Sequence, residues 1–248
     1  MVQRSRIQFL GLAFDPLHLE AAVKRIALKA RQREPMAYVV TPNVDHAVRL
    51  DRTPDLSTAY RGAWLTLCDS RILHLLGKLS GLELPVAPGS DIVRTLLETE
   101  IAPGETVIVI GGSPRTVEAL KERYGLQDVR WFDAPRNLRN DPAARAACTR
   151  FMSDNPGQWI FLAVGSPQQE MIALEAAQQG GATGVAVCCG ASLKFLSGEE
   201  MRAPGWMQRA GLEWAFRLIA SPARMWRRYL LEGPRVFGLW LRWLATAR

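Results

Sequence analysis

The strongest constraint on the fold is a series of apolar or β-branched runs that lack the alternation of half-exposed strands. Four of them follow one another in the second half of the chain, separated by segments with helical character. These runs are Thr106–Ile110, Val129–Phe132, Trp159–Val164 and Val185–Cys189. Strands that are apolar on both faces are typical of parallel sheets covered by helices. Residues 104–200 therefore predict a Rossmann-type array of β-α-β units.

The first hundred residues alternate in the same way, with less distinct boundaries. Their candidate strands are Ile7–Phe14, Tyr38–Thr41 and Trp64–Cys68, and their candidate helices cover 17–31, 43–50, 70–79 and 90–99. The pattern leaves open whether both halves share one sheet. We predict an α/β fold with a Rossmann-like parallel sheet, helices on both of its faces and a helical C-terminal appendage. Residues 1–200 form the predicted core, with a division near 101–104 as the alternative, and residues 201–248 form the appendage.

Composition excludes several classes of protein. Of 248 residues, 48% are hydrophobic and 22% are charged, as in ordinary globular chains and unlike disordered, collagen-like or polytopic membrane proteins. No stretch approaches the roughly 20 apolar residues that span a bilayer, so we expect any membrane contact to be peripheral. Asp15-Pro16 ends the first apolar run, which favours a strand over a signal peptide. The four Cys and three His lack the spacing of a zinc site or a disulfide framework, and we expect reduced thiols, no metal and no cofactor.

The net charge of +7 is concentrated in the appendage. From Arg202 to the C-terminus the chain has nine Arg, no Lys, two acidic residues and five of the eight Trp, whereas residues 1–201 are neutral. Pro204, Pro222 and Pro234 are placed as helix starts. A basic, Trp-rich end indicates an anionic partner: a diphosphate, an anionic membrane surface or single-stranded nucleic acid. The alternative is a helical tail with packed Trp and solvated Arg.

Two glycine turns follow predicted strands, where open α/β sheets bind ligands. They are Gly111-Gly112-Ser113-Pro114 and Gly165-Ser166-Pro167. Glycine admits a ligand close to the backbone, and the following helix N-terminus favours a phosphate; a tight turn without a ligand is the alternative. The chain has no GxGxxG, which argues against NAD. Asp133 lies 22 residues after Gly111 and is a candidate for a ribose contact or a turn residue.

Polar residues follow three further predicted strands or turns. Thr41-Pro42-Asn43 and Asp69-Ser70 come after strands, and a carboxylate at such an edge can take a proton from a hydroxyl. The alternative is that Asn43 and Asp69 cap helices. Gln169-Glu170 follow the Gly165 turn, where Glu170 suits the helix dipole and Gln169 is a candidate for a sugar or base contact.

These segments, taken in order, resemble the WecG/TagA/CpsF family of bacterial glycosyltransferases over nearly the whole chain. The resemblance rests on Thr41-Pro42-Asn43, Asp69, Gly89-Ser90-Asp91, Gly111-Gly112-Ser113-Pro114, Gly165-Ser166-Pro167-Gln168-Gln169-Glu170 and, most specifically, the run from Arg202 to Trp214 that continues from Arg217 to Tyr229. Three positions depart from the family pattern. Its Asp-Gly is Asp69-Ser70 here, its Arg before Gly-Ser-Asp is Val86, and an acidic residue is replaced by Lys194.

The resemblance implies transfer of a hexose-type sugar from a UDP-sugar to a polyprenyl-diphosphate-linked sugar, with inversion and without a metal, in cell-surface polysaccharide synthesis. It implies peripheral association with the inner face of the cytoplasmic membrane. Asp69 maps to the catalytic base, and the sugar and acceptor pocket maps to Thr41, Asn43, Ser90 and Asp91. The expected UDP contacts are Gly111, Gly112, Ser113, Pro114, Asp133, Gly165, Ser166, Pro167, Gln169, Glu170 and Gly190. The expected diphosphate or membrane contacts are Arg202, Arg209, Arg217, Arg224, Arg227 and Arg228.

The departures leave the donor sugar open among aminosugars, uronic acids and plain hexoses. Two other functions stay open at this point. One is a catalytically silent membrane-docking protein of the same fold. The other is a nucleic-acid-binding protein that uses the Arg/Trp tail, which the neutral body disfavours. Oligomeric state is also open.

Overall fold

The computed structural model describes residues 5–246, without the side chains of Arg209 and Arg224. Its main feature is a six-stranded sheet with the order β4-β3-β8-β7-β5-β6, in which every neighbouring pair is parallel. The strands of the chain are β1 (Ile7–Phe9), β2 (Leu12–Phe14), β3 (Ala37–Val40), β4 (Leu65–Thr66), β5 (Thr106–Gly111), β6 (Asp128–Phe132), β7 (Trp159–Ala163) and β8 (Val185–Cys188). The predicted Rossmann-like α/β fold is confirmed. Because β3 pairs with β8, strands from both sides of residues 101–104 belong to one sheet.

Helices connect the strands and cover the sheet. Those of the body are α1 (Leu19–Arg31), α2 (Val44–Arg52), α3 (Ser57–Arg61), α4 (Arg71–Leu79), α5 (Gly89–Thr95), α6 (Pro114–Tyr124), α7 (Pro142–Asp154), α8 (Gln168–Gln179) and α9 (Ser192–Leu196). Those of the appendage are α10 (Gly205–Arg209), α11 (Glu213–Ala220), α12 (Pro222–Trp226) and α13 (Arg235–Thr246). A π-helical segment, Arg227–Glu232, joins the last two. Pro204, Pro222 and Pro234 each lie at or directly before the start of a helix, as predicted.

Alternate residues of β3, β5, β6, β7 and β8 enter two separate apolar clusters, one on each face of the sheet. In β7, Ile160 and Leu162 face one cluster, whereas Trp159 and Phe161 face the other. All four side chains are almost fully buried. Both faces of the sheet are therefore covered, which explains why the strands read as continuous apolar runs.

The N-terminal run differs from its prediction. Ile7–Phe14 is not one strand but the antiparallel hairpin of β1 and β2, in which Phe9 pairs with Leu12. Leu10 and Gly11 form the two-residue turn, with φ of 51° and 80°. Positive φ at both turn positions matches the twist of hairpin strands, and glycine adopts it without steric cost.

Helix α13 holds the end of the appendage against the body. Its Val236 is buried, the Trp240 indole N–H donates to Ser80 Oγ at 2.8 Å, and the ring of Trp243 packs edge-on against Phe9 at 5.1 Å. Other large apolar side chains of the appendage are exposed: Trp206, Ile219, Trp226, Leu230, Leu231, Phe237 and Leu241. None of the helices within residues 5–246 is long and apolar enough to cross a membrane.

Candidate functional site

A cleft of about 990 Å³ opens at the carboxyl ends of four neighbouring strands, β4, β3, β8 and β7. Each strand delivers a residue of its following loop to the lining: Asp69, Thr41, Gly190 and Gly165. Asn43, Ser90, Asp91, Ser166 and Gln169 also line it, and Arg202, Arg217 and Arg228 line it from the appendage. The sheet edge thus brings together most of the residues that sequence reasoning selected, in the crevice expected for an open α/β sheet.

Asp69 does not cap α4, although its position at the end of a strand suggested that role. Ser70 is the residue that caps α4, because its Oγ accepts a hydrogen bond from Leu73 N at 3.2 Å. The carboxylate of Asp69 instead accepts the backbone N–H of Gly89 at 3.2 Å. The capping interpretation was therefore wrong for Asp69, and its charge faces the cleft. For Asn43 it was right, since its side chain caps α2 through Asp45 N.

Burial raises the pKa of Asp69 from 3.8 to about 7. The Gly89 hydrogen bond and the charges of Arg217 and Arg202 lower it, whereas the charge of Glu213 raises it further. Removing a carboxylate from water disfavours its ionised form, and here that effect outweighs the opposing contacts. A carboxyl group with this pKa can accept and release a proton near neutral pH.

A buried polar network lies behind the cleft. Glu170 is buried; its carboxylate accepts the Gln169 amide at 2.9 Å and lies 3.6 Å from His46 Nε2. Burial alone would raise the pKa of Glu170, but its interaction with His46, together with the hydrogen bonds from Gln169 and the backbone, outweighs burial and lowers the pKa. The Gln169 amide oxygen accepts Gly190 N at 2.9 Å, and His46 Nδ1 contacts the Asn43 cap. The network thus fixes four residues that line the cleft: Asn43, His46, Gln169 and Gly190.

Cations line another part of the cleft. Arg49 donates to Ser166 Oγ at 2.9 Å and also pairs with Asp45, which Arg228 approaches to 3.5 Å. The Arg228 Nε is buried and has no hydrogen-bond partner within the described part of the chain. A buried guanidinium donor without a partner is costly, and an anionic ligand in the cleft would satisfy it.

Arg202 lies between two carboxylates. Its Nη1 donates to Asp91 Oδ1 at 2.6 Å, and its Nε donates to Glu213 Oε1 at 3.3 Å. Arg217, one turn after Glu213 on α11, stacks over the ring of Phe195 at 4.9 Å. Arg202 is therefore engaged by two carboxylates through its Nη1 and Nε. Arg217 is held at the cleft by an aromatic face.

The turn at Gly111 lies outside the cleft lining, as do Gly112, Ser113, Pro114 and Asp133. Ser113 caps α6 and donates to Glu199 at 2.6 Å, so a carboxylate already occupies this helix N-terminus. The hydrogen bonds of Ser113 and Thr116 lower the pKa of Glu199. Pro167 and Glu170 are also outside the lining. Asp133 is exposed at the end of β6, the edge strand of the sheet.

The remaining predicted cations differ in position. Arg227 is exposed, lies over the ring of Trp226 at 5.7 Å and does not line the cleft. The predictions for the side chains of Arg209 and Arg224 fall outside the described residues. Among the family departures, Val86 lines the cleft, whereas Lys194 lies 3.8 Å from Glu200, outside the lining.

Sequence reasoning missed Arg49, His46 and Glu213. His46 and Arg49 stand on α2 three and six residues after the Asn43 cap, about one and two turns into the helix. Helical spacing from Asn43 was the signal for them. Glu213 was counted as an acid of the appendage, and no local pattern indicated that it pairs with Arg202.

The sequence can be compared with those of known proteins. A sequence model of the glycosyl transferase WecG/TagA/CpsF family matches residues 7–248. One relative is the N-acetylglucosaminyldiphosphoundecaprenol N-acetyl-beta-D-mannosaminyltransferase of Bacillus spizizenii, 27% identical over 201 residues, which cover 78% of this chain and 75% of the relative. The family match includes the body, the cleft and the appendage, so the chain belongs to the WecG/TagA/CpsF family of glycosyl transferases.

Proposed function

We propose that this glycosyl transferase moves a hexose-type sugar from a UDP-sugar to a polyprenyl-diphosphate-linked sugar, with inversion at the anomeric carbon. The observation that carries the proposal is the shared cleft of Asp69 and two appendage cations, Arg217 and Arg228. A base with a pKa of about 7 activates a hydroxyl, and nearby guanidinium groups stabilise a departing diphosphate. The name of the Bacillus spizizenii relative supports an N-acetylhexosamine as donor sugar and a polyprenyl-diphosphate aminosugar as acceptor.

The reaction is a single displacement. Asp69 takes the proton of the acceptor hydroxyl while the oxygen forms a bond to the anomeric carbon. The bond between that carbon and the diphosphate breaks, and UDP leaves with its electron pair. Arg217 and Arg228 balance the charge of the diphosphate, and Arg49 and Ser166 lie at the neighbouring turn. No metal ion takes part in this proposal.

The described contacts favour the turns at Gly165 and Gly190 for the nucleotide. Both glycines line the cleft, and no atom lies within 4 Å of a Cβ added at Gly165. At the Gly111 turn an added Cβ would lie 2.7 Å from Val164, so packing accounts for that glycine. The UDP contact predicted there remains a prediction.

The appendage brings the enzyme to its lipid substrate at the inner face of the cytoplasmic membrane. Its exposed Trp226, Leu230, Phe237 and Leu241 stand among arginines, and such side chains bind the interface of an anionic membrane. The proposed division of the chain is a catalytic core, residues 1–200, and a membrane-associating appendage, residues 201–248.

The test is release of UDP from a panel of UDP-N-acetylhexosamines, UDP-hexoses and UDP-uronic acids, with EDTA and a short-chain polyprenyl-diphosphate N-acetylglucosamine. We expect acceptor-dependent release with one preferred donor, and none from Asp69→Asn, which keeps an acceptor for the Gly89 N–H. The same UDP affinity in both proteins shows that the variant is folded. Equal turnover by Asp69→Asn would remove Asp69 as the base. Absence of both release and UDP binding by the wild type would refute the proposal and favour a membrane-docking protein.

A further inference from the structure

We infer that Arg202 is a positioning residue that clasps the appendage to the helix end supporting Asp69, and that it is not a diphosphate ligand. We call Asp91, Arg202 and Glu213 the clasp. This inference rests on the proposed function for the identity of the reaction. It assigns the two carboxylates of the clasp a role in placing the appendage over the cleft.

The first half of the clasp joins the appendage to α5. Arg202 Nη1 lies 2.6 Å from Asp91 Oδ1, and both side chains are about one-fifth exposed. Asp91 stands in the first turn of α5, two residues after Gly89. Gly89 is the residue whose N–H holds the Asp69 carboxylate. The contact between Arg202 and Asp91 therefore acts on the helix end that orients the proposed base.

Close packing and a hydrogen bond couple that helix end to Asp69. A Cβ at Gly89 would stand 2.6 Å from Thr41 Oγ1 and 3.5 Å from Asp69 Oδ2. The loop after β3 (Thr41), the loop after β4 (Asp69) and the start of α5 (Gly89) thus pack against one another. A displacement of α5 moves the hydrogen bond to Asp69 as well.

The second half of the clasp sets the position of α11. Glu213 is the first residue of this helix, and its carboxylate accepts Arg202 Nε at 3.3 Å. The same helix carries Arg217, which the proposed mechanism uses for the diphosphate. The segment between the two halves is itself anchored, because Ala203 is buried and its carbonyl accepts the Gln208 amide at 2.7 Å.

The chemistry of the guanidinium agrees with a structural bridge. Its Nη1 and Nε each donate to a carboxylate, and its partner Asp91 is shared with Arg94 at 3.3 Å. Burial alone would lower the pKa of Arg202, but Asp91 and Glu213 outweigh it and raise the pKa. A planar fork that bridges two carboxylates is a geometry that Arg provides and Lys does not.

The charges of the clasp also act on Asp69. Charged groups in the cleft around it come from α4, α5, the segment before α10, and α11: Arg71, Asp91, Arg94, Arg202, Glu213 and Arg217. Arg202 lowers the pKa of Asp69 and Glu213 raises it. Loss of Arg202 therefore raises the pKa of Asp69, and loss of Glu213 lowers it. Loss of a diphosphate ligand would instead weaken the affinity for UDP.

The test compares Arg202→Met and Glu213→Gln with Arg242→Met as the matched control. Arg242 belongs to the same appendage and pairs with Asp51 at 2.7 Å, outside the cleft lining. We expect amide hydrogen exchange in Glu213–Ala220 to become at least tenfold faster in Arg202→Met and to stay unchanged in the control. In the pH profile of kcat/KM, we expect the acid limb to move to higher pH in Arg202→Met and to lower pH in Glu213→Gln, because the pKa of Asp69 moves in those directions. The Kd for UDP stays within threefold of the wild type.

The opposite pattern overturns the inference. It consists of unchanged exchange in Glu213–Ala220 together with a more than tenfold loss of UDP affinity in Arg202→Met, which would make Arg202 a ligand. If Arg202→Met does not fold, Asp91→Ala removes the acceptor of the same contact, and normal exchange in that variant also rejects the clasp. If the wild type transfers no sugar, the proposed function fails but the clasp can still be tested. Amide hydrogen exchange in Glu213–Ala220 and NMR titration of the Asp69 carboxyl then show whether Arg202 positions the appendage.

Discussion

The backbone N–H of Gly89 meets Asp69 Oδ2 at 3.2 Å, and Gly89 lies 20 residues after Asp69 in the chain. This contact holds the carboxylate at the N-terminus of α5, where a helix end favours negative charge. Burial nevertheless raises the pKa of Asp69 to about 7. The group is therefore held in place and still basic enough to take a proton, which is the combination that general-base catalysis requires.

Replacing Asp69 by Asn should stabilise the protein at alkaline pH while removing turnover. A carboxyl group with a raised folded-state pKa contributes stability below pH 3.8, and this contribution is lost as the pH rises through about 7. At pH 8 the variant should gain up to about 4 kcal/mol in unfolding free energy, from a shift of roughly 3 pKa units at about 1.4 kcal/mol each. At pH 4 the two proteins should unfold alike in urea.

The control for that experiment is Asp128→Asn, for which we expect the opposite change in stability at alkaline pH. Hydrogen bonds from Thr106 and Arg130 lower the pKa of Asp128, so its contribution to stability is present above its ordinary pKa and is lost in acid. Asp128→Asn should therefore destabilise the protein at pH 8. A destabilised Asp69→Asn at the same pH would contradict the raised pKa of Asp69.

Replacing Gly89 by Ala should lower kcat more than tenfold, with a cost of about 1 to 3 kcal/mol in stability. The added methyl group would stand 2.6 Å from Thr41 Oγ1, so Thr41 must rotate and the hydrogen bond to Asp69 must lengthen. Gly104→Ala is the matched control, because no atom lies within 4 Å of its Cβ. Steady-state kinetics and thermal unfolding of both variants provide the comparison. Equal kcat in Gly89→Ala and Gly104→Ala would mean that the contact of Gly89 with Thr41 and Asp69 tolerates a methyl group, and it would contradict this prediction.

Replacing Glu170 by Gln should destabilise the protein at pH 7 by about 1 to 3 kcal/mol, because the buried charge that accepts the Gln169 amide at 2.9 Å and faces His46 at 3.6 Å is removed. The pKa of Glu170 is lowered in the fold, so its contribution is present above its ordinary value of 4.5 and is lost as the pH falls further. The difference in Tm from the wild type should shrink between pH 6 and pH 3. Glu118→Gln, an exposed residue paired with Lys121, should leave Tm unchanged at every pH. A pH-independent difference for Glu170→Gln would reject the ionic contact with His46.

Adjacent residues of α13 should separate stability from membrane binding. Trp240→Ala loses the hydrogen bond to Ser80 and its packing on the body, so we expect a loss of about 2 to 3 kcal/mol. Leu241, which is 61% exposed, should affect Tm by less than about 1 °C when changed to Ala. Its loss should instead weaken binding to vesicles of anionic phospholipid at least twofold in a sedimentation assay. Unchanged vesicle binding in Leu241→Ala would argue against this face of α13 as a membrane contact.

The sequence by itself determined the class of the fold and the edge of the sheet that forms the cleft. Runs such as Trp159–Val164 are apolar on both faces, and only a sheet covered on both sides buries them. Residues that end such strands, including Thr41 and Asp69, must then meet at one edge. Local physics also indicated the proline helix starts and the Asn43 cap, because both depend on neighbours within one helical turn.

The tertiary structure decided which of those residues act together. Ser70 takes the capping role, which leaves Asp69 to the cleft, and Glu199 occupies the helix end beside Gly111. Arg202 meets Asp91 across 111 residues of chain, a contact that no spacing in the sequence encodes. Such contacts and the pKa of Asp69 depend on the order of the strands and on burial, which arise only when distant segments pack.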